Sequence, residues 1–122
     1  MATRSEALNQ TLEEIMNNSF DIMGALIVSR DGLLMASRLP AGLDDARVGA
    51  VSAGVLSLGV RSISQLGRGE FKQILAQGTK GNVIVTSAGS KAAFVVLTNP
   101  SVNLGMAFLE ANEGAEQISR IL

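Results

Sequence analysis

"RVGAVSAGVLSLGVRSISQLG", running from Arg47 to Gly67, is the stretch on which the reading of this chain turns. It is long enough for a helix and contains no proline, yet Gly49, Gly54, Gly59 and Gly67 punctuate it. At about 100° per residue its apolar positions fall into two stripes rather than one. Val48, Val51, Val55, Leu58 and Leu66 form the first. Gly49, Ser52, Ala53, Leu56, Val60 and Ile63 form the second, turned from it by roughly a third of the circumference. One stripe can dock on a sheet of the same chain; the other needs a further surface. Glycine inside a helix costs about 1 kcal/mol relative to alanine, so Gly49, Gly54 and Gly59 call for a packing reason. The small members of the second stripe would let another backbone come close. That stripe is therefore expected to pack against its own copy in a homodimer.

The flanking segments supply the rest of the fold. Thr3 and Glu6 have capping-box spacing, and Leu8, Leu12, Ile15 and Met16 share one face of the helix that follows. Ala25–Ser29 is almost wholly apolar, as a strand covered on both faces would be. Asp31-Gly32 marks a hairpin turn, Leu33–Leu39 returns as a second strand, and Pro40 and Gly42 end it. Asp44 and Asp45 read as N-terminal charges of the central helix. After Gly67 and Gly69, "EFKQILAQ" reads as a polar edge strand, "VIVTSA" and "AAFVVLTN" as two more strands. Leu104, Phe108, Ala111, Ala115, Ile118 and Leu122 mark a closing helix with a single stripe.

The predicted order is helix, two strands, helix, three strands, helix. Tight hairpins make the five strands an antiparallel sheet, and the doubly buried strands require helices on both sides. The expectation is one domain over residues 1–122, a three-layer α/β/α sandwich. The edge strand follows the central helix directly. Its Phe71, Gln73 and Leu75 are expected to extend the dimer contact begun by the second stripe.

Composition excludes several functions. With ten basic and eleven acidic residues, no Trp or Tyr and four Phe, the chain has neither the charge nor the stacking platforms of a nucleic-acid binder. It has no Cys and no His, which removes thiolate metal sites, disulfides and the commonest general base. "QGTKGN", "SAGSKAA" and "SRDGLL" contain glycine but lie between strands and lack the phosphate-loop pattern. Glu13-Glu14 are sequence neighbours and point apart on a helix. No cofactor, metal or catalytic residue is assigned, and a non-enzymatic protein is expected. The polar helical start and the broken apolar tract from Val83 to Leu97 suggest a cytoplasmic chain with no membrane insertion.

The order of elements, with "GALIVSRDGLLMAS", the small-residue helix and "GNVIVTSAGSKAAFVVLTNPSVNLGMAF", resembles the Roadblock family (dynein light chain, roadblock type), including its prokaryotic MglB-like members. The resemblance covers essentially the whole chain. It implies a roadblock/profilin-like fold and a dimer with helix beside helix and edge strand beside edge strand. It also implies a Ras-like small GTPase as partner, with this chain as its regulator or GTPase-activating partner. A dimeric scaffold or motor-complex adaptor with no effect on nucleotide turnover is the alternative. Arg47, Ser57, Arg61, Ser64, Gln65 and Arg68 share the outward face of the central helix and are the residues expected to meet the GTPase.

Overall fold

The computed structural model describes residues 3–122. Its elements run α1 (Arg4–Asn17), β1 (Ile22–Ser29), β2 (Leu34–Arg38), α2 (Asp45–Gln65), β3 (Gln73–Gln77), β4 (Asn82–Ala88), β5 (Ala92–Thr98) and α3 (Leu104–Ile121). The strands form one antiparallel sheet in the order β2-β1-β5-β4-β3, so β3 lies at an edge as its polar alternation indicates. β1 and β5 occupy the centre and are buried along nearly their whole length.

Two apolar clusters sandwich the sheet. On one side, Leu8 and Leu12 of α1 and Ala111, Ala115 and Ile118 of α3 pack on Ile27, Ile84, Phe94 and Val96. On the other, Leu56 of α2 packs on Leu26, Val28, Val85 and Val95. The alternation of strand side chains delivers both layers from the same residues: Val95 faces α2, while Phe94 and Val96 face α1 and α3. Among the described residues, two helices thus cover one face and α2 covers the other.

Local signals in the sequence place the helix ends. Thr3 Oγ1 accepts from the Glu6 amide at 3.1 Å, and Asn103 Oδ1 accepts from the Met106 amide at 3.1 Å. Asp44 caps α2. At the other end of α2, Gly67 turns left-handed at φ +67°. The amides of Gly67 and Arg68 there donate back to the carbonyls of Ser64 and Ile63, closing a Schellman motif.

Several strand boundaries and one turn differ from expectation. β1 begins at Ile22 rather than Ala25, because Ile22 and Gly24 pair with Thr98 and Leu97 around a register shift. β2 loses Leu33 and Leu39 from its ends. The β1–β2 turn is a three-residue loop: Ser29 and Leu33 pair across Arg30, Asp31 and Gly32, and only Gly32 is left-handed (φ +92°). β3 is shorter than "EFKQILAQ", since the segment through Phe71 is spent bringing that ring beneath α2.

Candidate functional site

α2 is the unusual element. It is 21 residues long and, among the described residues, the one helix long and apolar enough to cross a membrane. It lies on the sheet instead, starting beside β2, where Ser37 Oγ donates to Asp45 Oδ2 at 2.7 Å. It ends over Phe71, just before β3. Two helices share the opposite face of this sheet. One helix cannot cover as much, so its flanks decide what is left exposed.

The side that docks is the small-residue stripe. Gly49, Ser52, Leu56 and Gly59 are the buried residues of α2. A Cβ on Gly49 would lie 3.8 Å from the Leu34 Cβ and 3.9 Å from Val28 Cγ1. At Gly59 it would meet Phe71 Cε1 at 2.7 Å. Small side chains let the helix settle close on the twisted sheet, and Leu56 fills the middle of the contact. This corrects the expectation for the dimer surface. Gly49, Ser52 and Leu56 face the chain's own sheet, and Ala53, Val60 and Ile63 are half-buried on the same side. Phe71 is packed beneath α2. Leu75 packs with the α1–α3 cluster on the far side of the sheet, and Gln73 shares its face by strand alternation.

The stripe assigned to the sheet is the one left free. Val51 is 61% exposed, Leu58 58% and Leu66 71%, whereas Val48 and Val55 pack at the margin of the sheet. Val55 belongs to the cluster that also contains Ile74 of β3 and Val83 of β4, both half-buried. α2 runs from β2 toward Phe71, which precedes β3, and β3 has a free edge. Among the described residues, an uncovered apolar helix flank and an unpaired strand edge thus occur in the same subunit.

The opposite flank is polar. Ala53 approaches Gly32 in the β1–β2 turn, and Ser57 and Arg61 line a recess of about 170 Å³ with Arg30, Leu56 and Val60. Arg30 Nη2 donates to Ser87 Oγ at 3.3 Å and to the Gly89 carbonyl at 3.4 Å, which ties the β1–β2 and β4–β5 turns together. Arg47, Ser57, Arg61, Ser64, Gln65 and Arg68 are all exposed. The Arg68 guanidinium turns back to the Leu66 carbonyl at 3.1 Å. Arg30 is the residue that sequence reasoning missed, because a loop arginine gives no sign of which helix it will stand beside. Val51 and Leu58 were visible as a stripe but assigned to the wrong side.

The outward face of α2 thus carries exposed aliphatic side chains, Val51, Leu58 and Leu66, and exposed arginines, of which Arg61 stands toward the β1–β2 turn. No cluster of acidic residues able to hold a metal occurs among the described residues. The arrangement suits surface recognition: an apolar half for burial and a basic half for carboxylates.

Comparison with known proteins identifies the architecture. The chain belongs to the Roadblock/LC7 domain family, whose model matches residues 8–98. It is similar to two uncharacterized proteins of Methanocaldococcus jannaschii, 33% and 32% identical over 103 residues, covering 84% of this chain and 90% of each relative. Among solved structures, an MglB with tetrameric arrangement aligns with a TM-score of 0.87 at 22% identity, over 99% of this chain and 91% of that one. The gliding protein MglB from Thermus thermophilus aligns at 0.83 and 22% identity, over 99% and 92%. A Roadblock/LC7 domain from Streptomyces avermitilis aligns at 0.70 and 28% identity, over 90% and 96%. At 22% identity the MglB likenesses establish the fold.

Proposed function

We propose that this protein works as a homodimer whose paired α2 helices form one platform for a Ras-like small GTPase, which it regulates without catalysing a reaction itself. The observation that carries the proposal is the exposed flank of α2, Val51, Leu58 and Leu66, together with the free edge of β3 in the same subunit. A second copy related by a twofold axis would bring β3 beside β3 and α2 beside α2, continuing one sheet through both subunits. Each large aliphatic side chain fully covered there contributes about 2 kcal/mol. The tetrameric arrangement of one MglB neighbour supports self-association in this fold.

In such a dimer the arginine-bearing half of each α2 would remain outside. Arg61 would then be presented twice on a common surface, suited to an acidic region of a switch protein, with Arg47 at the border of the dimer contact. A cytoplasmic site of action is part of the same proposal. Single-turnover GTP hydrolysis by a small GTPase encoded beside this chain, with and without the protein, tests it. Acceleration that is lost in Arg61→Glu supports regulation of turnover. Binding without acceleration makes the dimer a scaffold, and no binding overturns the partnership.

A further inference from the structure

The opposite side of the sheet carries a second surface, independent of the α2 reading. α1 and α3 hold six of the chain's eleven acidic residues (Glu6, Glu13, Glu14, Glu110, Glu113 and Glu116) and only two of its ten basic ones, Arg4 and Arg120. Arg120 is engaged with Glu116 at 2.7 Å, and Arg4 begins α1, at the opposite end of that helix from Ser19. Between the C-terminal end of α1 and the middle of α3 lies a groove of about 290 Å³. Ile15, Ser19, Met106, Leu109, Glu110 and Glu113 line it. Met106 and Leu109 are half exposed, at 50% and 51%, and Phe20, next to Ser19, is fully exposed.

Two polar atoms of this groove, Ser19 Oγ and Glu110 Oε2, are buried without a hydrogen-bond partner among the described residues. A buried carboxylate oxygen with no cation beside it among the described residues suits a donor from a partner. Met106, Leu109, Glu110 and Glu113 stand at helical spacing over two turns of α3, so an apolar pair is followed by an acidic pair along about 10 Å of groove.

We propose that the α1–α3 groove is a docking site for a basic amphipathic helix of a partner protein. Its apolar side chains would lie on Met106 and Leu109, and its lysines or arginines would reach Glu110 and Glu113.

The test uses the full chain and a fluorescently labelled synthetic helix of leucine and lysine at heptad spacing, read by anisotropy. Saturable one-to-one binding that weakens with salt is expected. Leu109→Ser and Glu110→Gln should each weaken it about tenfold, and the exposed Glu113→Gln, which cannot disturb the fold, about threefold. Asp31→Asn, an equal loss of charge in the β1–β2 turn, should leave it unchanged. Leu58→Glu on α2 should also leave it unchanged, which separates this site from the proposed dimer and GTPase surfaces. Absence of binding, equal weakening by Asp31→Asn, or equal affinity for a leucine–glutamine helix would overturn the proposal. Assembly beyond a dimer that Leu109→Ser dissolves would assign the groove to a second copy and overturn it too.

Discussion

The Cβ that Gly59 lacks would stand 2.7 Å from Cε1 of Phe71, and this contact locks α2 to the segment leading into the edge strand. The ring enters beneath the helix because there is no side chain at Gly59. It is only half-buried, so an alanine there forces a ring at the rim of the cluster to shift. Gly59→Ala is expected to destabilise the fold by about 1 kcal/mol, the packing strain exceeding the gain in helix propensity. Gly54 has nothing within 4 Å of its would-be Cβ, so Gly54→Ala should stabilise α2 by up to about 1 kcal/mol. Urea denaturation of the two variants checks the opposite signs.

Gly114 of α3 makes a harder contact. Its Cβ would lie 2.6 Å from Phe94 Cε2 and 3.0 Å from Ile15 Cδ1, and Phe94 is fully buried at the centre of the sheet. No ring at a rim can yield here. Gly114→Ala should cost about 1–3 kcal/mol and exceed the loss in Gly59→Ala. Equal denaturation midpoints for the two variants would contradict this ranking.

The α3 cap offers a smaller and separable effect. Asn103 Oδ1 satisfies the Met106 amide at 3.1 Å, so Asn103→Ala should lower stability by about 1 kcal/mol. Asn103→Asp keeps the acceptor and places negative charge at a helix N-terminus, and should hold stability at the wild-type level. Thermal melts of both variants read the difference.

The basic half of α2 is tested by charge reversal. Arg61 is exposed and lines the recess beside Arg30. Arg61→Glu is expected to weaken GTPase binding by about tenfold or more while the oligomeric state stays the same. Calorimetry for binding and light scattering for mass separate the two readouts. Unchanged affinity would make this half of the helix a solvated face.

The layering, the order of elements and the edge position of β3 were legible because periodicity and turn residues report them directly. Leu8 and Leu12 in α1, and Ala111, Ala115 and Ile118 in α3, are buried where their spacing puts them. Which stripe of α2 docks was not legible. Both stripes satisfy a helical period, and the larger aliphatics of one made it look like the core-facing side. Closeness of approach decided otherwise: Gly49, Ser52 and Gly59 let the helix lie near β1, β2 and Phe71, and Val51 and Leu58 turned outward. The depth at which a helix sits depends on residues far along the chain, and no window of sequence contains them. The same holds for Arg30, whose neighbours Ser57 and Arg61 are brought to it by the crossing of α2 over the sheet.

Sedimentation velocity of the wild type beside Leu58→Glu tests the central claim most directly. The account predicts a dimer for the wild type and a folded monomer for Leu58→Glu, while Leu56→Glu, placing charge at a site 2% exposed, should unfold. A wild type that stays monomeric at high concentration, or a Leu58→Glu variant that still sediments as a dimer, would contradict it.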